Sequence, residues 1–585
     1  MILQALNDYY ARKAADPRTS LAPEGFEVKA IPFVLVIDAD GRLLQLADRR
    51  EGVGKKKEAK AELVPQGAKK TSGVAANLLW DTAEYVLGVD TRGKPDRVAE
   101  QHQAFVKRFV EAFGGDPEDA GLRAVKAFLE RHVPSTREDV SAHPAGAEIM
   151  ETNPLLSFQL QTDAVLVCQR PAVVAALQAG QAGQGAPADG ICLVSGEADV
   201  IERLHPSIKG VWGAQTSGAN IVSFNLDAFS SYGKTQSFNA PVGSRAAFAY
   251  TTALNHLLSK GSRQRIQVGD ASTVFWAEKE SGAPFETAFL DFLDARRDDC
   301  DPDRGTQAVA SLYACVRDGR PFTTDDLQRF HVLGLSPNAA RIAIRFWHVA
   351  SIRELATAFL RHFGDLEIDR PGYEAAAPLS LYRLLSSTAL QGKAENIAPN
   401  LGGDVMRAIL KALPYPETLM QGALRRIRAE REVGFPRAAL LKAYLIRNCQ
   451  DKEITVSLNP ENIDPGYRLG RLFAALERVQ ERAQGNLNAS IRDRYYGAFS
   501  TTPTTVLPML MRLKNHHLAK LPNRGEAVNL EKLLAEIVDG LADVPARLSL
   551  TEQCRFAVGY YHQRQSFFNR ADAQTADQPA TSLAE

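Results

Sequence analysis

Between Gly210 and Asn255 the chain reads GVWGAQTSGANIVSFNLDAFSSYGKTQSFNAPVGSRAAFAYTTALN, which crowds glycines, amides and hydroxyls between short apolar runs. Only Asp227 is acidic there, and only His256, just past its end, could act as a base. Breaking a bond needs a nucleophile with its base or a matched acid and base. Holding a ligand needs donors, and donors are what this segment has. Gln215, Thr216, Ser217 and Asn220 stand beside Gly210, Gly213 and Gly218, so the backbone can approach a ligand closely while N–H groups and short polar side chains donate to phosphates or base edges. Further on, Gly233-Lys234-Thr235 matches the end of a phosphate-binding P-loop, but Ala228 occupies the position where that loop needs its first glycine. Lys234, with the amides Gln236 and Asn239, is therefore expected to meet a nucleic-acid phosphate without nucleotide hydrolysis. A P-loop-like nucleotide-binding enzyme is the less favoured alternative.

Formal net charge is zero, so any nucleic-acid contact has to come from local patches. From Gly41 to Lys70 nine basic residues face four acidic ones, and Lys55, Lys56 and Lys57 form a run suited to a phosphate backbone or to a solvated loop. Lys69-Lys70-Thr71-Ser72 adds hydroxyls to charge, and Asn77 follows; an asparagine amide pairs with adenine edges. From Asp464 to Arg524 ten basic residues face four acidic ones. Arg468, Arg471, Arg478 and Arg482 fall at spacings of three, seven and four on a helical pattern whose apolar positions include Leu472, Leu476 and Val479. They predict a stripe that tracks a nucleic-acid backbone, joined by Arg492, Arg494, Arg512, Lys514 and Lys520.

Other chemistries lack their residues. There is no H-E-x-x-H and no G-x-S-x-G. Adjacent His516 and His517 would point about 100° apart on a helix, with no carboxylate or cysteine at ligand spacing. Asp298-Asp299 and Asp325-Asp326 sit in charge-rich text that reads as solvated surface. The six cysteines lie far apart with no C-x-x-C pair. The expectation is a protein with no catalytic residues, no metal and no cofactor. No window is apolar enough to cross a membrane, and the first residues lack the basic and apolar regions of a signal peptide.

The elements that must carry these residues divide into two styles. KAIPFVLVIDADGRLLQLAD predicts a β-hairpin turning at Asp38–Gly41. VAEQHQAFVKRFVEAF and GLRAVKAFLERH predict helices, while DAVLVCQ, GICLVSG, ANIVSFN and RQRIQVGDASTVFWAE predict short strands. NAARIAIRFWHVA is strand-like and SIRELATAFLRHF helical. After residue 370, repeated three- and four-residue spacing from SLYRLLSSTAL to TVLPMLMRLKNHHLAKL predicts a helical bundle. The fold class is α+β: residues 1–370 form a mixed α/β nucleic-acid-recognition domain with β-hairpins, 371–570 a helical bundle, and 571–585 a polar, disordered tail.

KTSGVAANLLWDTAEYVLG, the whole Gly210–Asn255 segment, STVFWAE, and GYRLGRLFAALERVQERAQGNLNASIRDRYYGAFSTTPTTVLPMLMRLKNHHLAKL resemble the large subunit of the type I-C CRISPR Cascade complex, the Csd family. The resemblance runs from the first helix to about residue 570. It implies a non-catalytic subunit of an RNA-guided surveillance complex in the prokaryotic cytoplasm. Such a subunit sits near the 5′ handle of the guide CRISPR RNA, reads a protospacer-adjacent motif in target double-stranded DNA, promotes duplex opening and R-loop formation, and holds the displaced strand. Its implied partners are the Cascade backbone and handle-binding subunits, a helicase-nuclease, and a small subunit. Residues 457–570 resemble that small subunit, which a start near Val456 would release as a separate C-terminal fragment. Motif reading then falls to Lys69, Lys70, Thr71, Ser72, Asn77, Gln215, Thr216, Ser217 and Asn220, and backbone contact to the lysine and arginine patches. A structural adaptor that joins guide-bearing subunits without touching target DNA is the alternative.

Overall fold

A computed structural model describes residues 2–16, 21–52, 57–68, 73–131, 140–175, 177, 188–268, 271–293, 325–374, 378–485 and 489–576, with side chains described as far as residue 568. The chain forms two compact units, Met1–Ile208 with Val222–His256, and Lys209–Ile221 with Leu257–Glu585. The expected division near residue 370 is thus corrected. Phe359 and Phe363 before it share one apolar core with Leu419, Leu441 and Tyr561 after it, so no boundary falls there.

The first unit begins with α1 (Ile2–Ala14), whose Leu6 and Tyr9 are buried. Tyr10 meets Phe248 edge to face at 5.7 Å, docking α1 on α6 (Ser244–Leu257). Strand β1 (Phe26–Ala30) is followed by β2 (Phe33–Ile37) and β3 (Leu43–Asp48). The expected hairpin forms between β2 and β3. Its turn is closed by Asp38, whose carboxylate accepts the N–H groups of Asp40 and Arg42. Gly41 has φ +77°, and a Cβ there would lie 2.3 Å from the Phe128 nitrogen, so only glycine fits. Short strands β4 (Arg50–Glu51), β5 (Glu58–Ala59) and β6 (Ala61–Pro65) lead to β7 (Trp80–Thr82) and helix α2 (Ala83–Leu87). Helices α3 (Pro95–Phe113), α4 (Ala120–Arg131) and α5 (Gly146–Thr152) precede β8 (Leu155–Leu160), which pairs parallel to β2 and gives the order β3-β2-β8-β7. Phe105 of α3 and Phe128 of α4 pack on Phe158 of β8 at 6.4 and 5.5 Å, covering one face of that sheet.

Two-residue strands β9 (Gly190–Ile191) and β10 (Ala198–Asp199) pair beyond it. Here the expectations of strands fail in part. Val167–Gln169, inside DAVLVCQ, is a turn of 3-10 helix, and ANIVSFN holds no strand beyond a single bridge at Asn220. Side-chain amides and hydroxyls in such text bond to nearby backbone and remove it from ladder pairing.

The second unit holds an antiparallel sheet in the order β11 (Arg265–Val268), β12 (Ala271–Ala277), β13 (Arg329–Asn338), β14 (Arg341–Ser351). Helix α7 (Ala283–Leu293) packs its phenylalanines on it, Phe289 lying 4.7 Å from Phe275 and 5.1 Å from Phe330. Helix α8 (Ile352–Leu366) starts with a capping box in which Ser351 and Glu354 exchange hydrogen bonds. The helices expected after residue 370 form as α9 (Leu381–Thr388), α10 (Leu401–Leu410), α11 (Glu417–Glu430), α12 (Phe435–Cys449), α13 (Pro465–Gln484) and α15 (Pro503–Ala519), and the bundle also holds α14 (Ile491–Phe499), α16 (Arg524–Asp539) and α17 (Leu550–Ala576). Helices α13 and α17 meet backbone to backbone. A Cβ on Gly470 would lie 2.0 Å from the Phe556 carbonyl oxygen, and one on Gly559 2.2 Å from that of Tyr467. The architecture is α+β, with strands confined to the N-terminal part and helices filling the C-terminal part.

Candidate nucleic-acid interface

The loop at Gly210–Asn220 is strapped to the second unit by its own backbone. The Trp212 N–H donates to the buried Ser272 hydroxyl of β12 at 2.9 Å, and the Ile342 N–H of β14 donates to the Asn220 carbonyl at 2.9 Å. Gly210, Gly213 and Gly218 have φ of +86°, +77° and +95°, the left-handed region that favours glycine. A Cβ on Gly210 would stand 2.7 Å from the Leu258 carbonyl oxygen. Two successive turns follow, with Ala214 N–H donating to Val211 and Gly218 N–H to Gln215. Their effect is to hold Gln215, Thr216 and Ser217 outward, exposed and without an intramolecular side-chain partner among the described residues. Asn220 differs, because its backbone bridges to Arg341 and it is half-buried. Trp212, 60% exposed beside this turn, adds a flat aromatic surface to it. A tryptophan between Gly210 and Gly213 and outside any apolar period is the sequence signal that points to Trp212.

In the first unit, Asn77 does not reach a base, which corrects its expected role. It is buried at 6% exposure, its carboxamide oxygen accepts the Ala68 N–H at 2.9 Å, and its own N–H donates to Asp81. Its side chain instead anchors the end of the segment 66–68. Lys69, Lys70, Thr71 and Ser72, and likewise Lys55 and Lys56, lie outside the described residues. Lys57 is paired with Asp48 at 3.1 Å, in a cluster where Arg50 bonds both Asp48 and Glu148 and holds the Asp48 carboxyl well below the usual carboxylate range.

Lys234 is exposed at the end of a tight turn. Ser231 and Lys234 bridge across it, while Tyr232 and Gly233 have φ of +51° and +71°. Asn239 serves the turn rather than a ligand, correcting its expected role, while the side-chain oxygen of half-buried Gln236 is buried without a hydrogen-bond partner among the described residues. The Asn239 oxygen accepts the Ser231 N–H at 2.9 Å, and its amide nitrogen donates to the carbonyls of Lys234 and Gln236 at 3.0 and 2.9 Å. The P-loop alternative does not match the local geometry: a 3-10 turn at Asp227–Phe229 rather than a strand leads into Gly233, the residues after Thr235 make another 3-10 turn, and the next α-helix begins at Ser244.

The C-terminal stripe sorts into two sets. Arg468 and Arg471 are buried at 7% and 1% exposure, a correction to the expected solvent face. Arg468 Nε donates to the Asn462 carbonyl at 2.8 Å and its head lies against the carbonyl end of α16, where a cation suits the helix dipole. Arg471 donates to the Pro460 carbonyl at 3.0 Å, to Gln563 at 3.1 Å and to Glu536 at 2.9 Å. Arg482 pairs with Glu526 at 2.5 and 3.0 Å, Arg478 with Glu481 at 3.6 Å, Arg492 with Glu477 at 3.5 Å and Lys514 with Glu531 at 3.9 Å. Arg494, Arg512 and Lys520 are exposed and have no ion-pair partner among the described residues. They lie on α14, on α15 and just after α15, and they are the cations of this set left available to a phosphate. His516 is exposed and His517 buried, and no group of three or more potential metal-ligating side chains is found among the described residues. No described helix is long and apolar enough to cross a membrane.

A search of curated proteins found no match. The family model for CRISPR-associated protein (Cas_Csd1) matches residues 6–568. With nearly its whole length matched, the chain belongs to the Csd1 family of CRISPR-associated proteins and is a Cascade-type large subunit.

Proposed function

We propose that this chain is the non-catalytic large subunit of a type I-C surveillance complex, which reads a short protospacer-adjacent motif in duplex DNA and helps open the duplex for guide pairing. When the guide reads the sequence, the protein needs to recognise only a short motif and the nucleic-acid backbones, and local patches on a neutral chain are enough for that. The observation that supports it most is the turn at Gln215–Ser217, whose backbone is pinned by hydrogen bonds and whose amide and hydroxyls are exposed and without intramolecular partners among the described residues. Donors carried on a pinned backbone suit base edges, where one bidentate contact discriminates by ~1–3 kcal/mol. Arg494, Arg512 and Lys520 are assigned to the displaced strand or another nucleic-acid backbone, through charge alone. A helicase-nuclease recruited afterwards cuts the DNA.

Residues 457–570, released by a start near Val456, would supply a small subunit of the same complex. Mass spectrometry of the expressed complex tests this, and absence of any C-terminal fragment refutes it. The main test is binding of the assembled complex to duplexes that carry or lack the motif. Gln215→Ala is expected to lose motif preference by about tenfold while keeping basal affinity. Arg512→Ala is expected to weaken both duplexes alike and to lower the slope of affinity against salt by about one. Equal losses on both duplexes from both variants would refute the division of labour.

A further inference from the structure

Among the described residues Tyr232 is the one large hydrophobic side chain that is fully exposed, so its ring contributes no burial to the fold. It also sits at φ +51°, next to Gly233 at +71°. Two successive left-handed residues between bridged Ser231 and Lys234 make a type I′ turn, in which asparagine or glycine is the usual first central residue. A bulky aromatic in the left-handed region is a true outlier, and such strain persists only where the surroundings impose it. Those surroundings are visible. Asn239 clamps the two ends of the turn, accepting the Ser231 N–H at 2.9 Å and donating to the Lys234 carbonyl at 3.0 Å, and ties it to the Gln236 carbonyl at 2.9 Å; Lys234 N–H donates back to Ser231, and Ser237 is buried. A Cβ on Gly233 would meet nothing within 4 Å, so the tip stands clear of the rest of the unit.

A strained residue with no intramolecular role, held out on a braced stem, is a contact waiting for a partner. The chemistry at the tip defines that partner. An aromatic face with a free ammonium two residues away fits an unpaired nucleobase and its neighbouring phosphate, and within Gly210–Asn255 only Asp227 would repel that phosphate. We propose that Tyr232 is a stacking platform for one unpaired base, with Lys234 on the flanking phosphate. The assignment rests on the nucleic-acid reading above and adds to it a site for a base out of its duplex, distinct from the donors at Gln215–Ser217.

The test uses the assembled complex and target duplexes with 2-aminopurine placed singly along the opened region. In the wild type, one position is expected to show stacking quench that Tyr232→Phe keeps and Tyr232→Ala relieves, with affinity for the opened target falling by about tenfold in Tyr232→Ala. Lys234→Gln should preserve the quench and weaken affinity several-fold. Unchanged quench at every position in Tyr232→Ala, with wild-type binding intact, overturns the proposal and leaves the function reading standing. Failure of the wild-type complex to bind the duplex at all overturns the function reading instead. Loss of a protein subunit from the complex in Tyr232→Ala, with base signals unaltered in what remains, would assign the tip to a protein partner and overturn the stacking role.

Discussion

Replacing Arg471 by alanine should damage the fold and spare nucleic-acid binding, the reverse of Arg512→Ala. The Arg471 side chain is 1% exposed and ends in three hydrogen bonds, to the Pro460 carbonyl, to Gln563 and to Glu536. Glu536 is 54% exposed, so its carboxylate can turn to water after the substitution, and its share is discounted to well under 1 kcal/mol. The Pro460 carbonyl and Gln563 remain buried and lose a charged donor, at about 1–2 kcal/mol together, and the buried aliphatic stem leaves a void between α13 and α17 worth about 1–2 kcal/mol more. The total is ~3 kcal/mol. At ~2.1 cal/mol/K of unfolding entropy per residue over a unit of roughly 340 residues, that is a fall of about 4 °C in the melting transition of the second unit. Differential scanning calorimetry of the isolated chain reads it, and filter binding of the assembled complex across a salt series reads the other half. Arg512→Ala should leave the melt within about 0.5 kcal/mol of wild type and flatten the salt slope. If Arg471→Ala instead kept the wild-type melt and flattened the slope, its guanidinium would be reaching phosphate in solution and the assignment of buried and free cations would be wrong.

Gly470→Ala places a methyl group 2.0 Å from the Phe556 carbonyl and should cost about 3 kcal/mol or more as α13 and α17 separate, whereas Gly497→Ala, in open space on α14, should stabilise by about 0.5 kcal/mol; urea melts of the two compare them directly. Burial holds His362 and His562 near a pKa of about 3, neutral beside the hydroxyls of Tyr415 and Tyr467. Both folded values lie below the unfolded ~6.5, so their contribution is complete above about pH 6.5 and declines as pH falls toward 3, by up to about 1.4 kcal/mol per histidine per unit. Stability measured from pH 7 to pH 4.5 should drop, and His362→Gln should flatten that drop; a slope unchanged in the variant would remove His362 as a cause. Asn77→Ala leaves the Ala68 N–H without its acceptor, and should cost ~1–2 kcal/mol and raise proteolytic cutting near residues 66–73, as limited digestion would show.

What the sequence disclosed depended on how far each residue's partner lay along the chain. The β2–β3 hairpin was legible because Asp38 and Gly41 close it within five residues. So were the C-terminal helices, whose spacing is a local property. The parallel pairing of β2 with β8 joins residues more than a hundred positions apart, and neither strand states its neighbour. The segment after Gly210 was legible as a donor-rich loop but not in its division. Gln215, Thr216 and Ser217 face outward, while Asn239, of the same chemical type, is consumed by its own turn. An amide that serves the backbone and one that serves a ligand look alike until the hydrogen bonds are counted.

The misreading of the arginine stripe has a more general cause. The count from Asp464 to Arg524 gave a surplus of six positive charges, yet the carboxylates that pair with Arg482, Lys514 and Arg471 are Glu526, Glu531 and Glu536, all on the next helix. Helices in a bundle trade charge with the helix that folds back on them, so a window cut at a helix boundary records a surplus that the fold then cancels. The helical period placed Arg468 and Arg471 on one face correctly, but α16 and α17, which cover that face, come later in the chain. Charge available to a nucleic acid is therefore what remains after those pairings. For the window from Asp464 to Arg524 the exposed cations without an ion-pair partner among the described residues are Arg494, Arg512, Lys520 and Arg524, and in the glycine-rich segment Lys234 is exposed likewise. Each released counterion adds about one to the salt slope, so the four C-terminal cations together should contribute about four and not the six the window suggested. Measuring that slope in the quadruple variant Arg494→Ala, Arg512→Ala, Lys520→Ala, Arg524→Ala against wild type decides between the two counts.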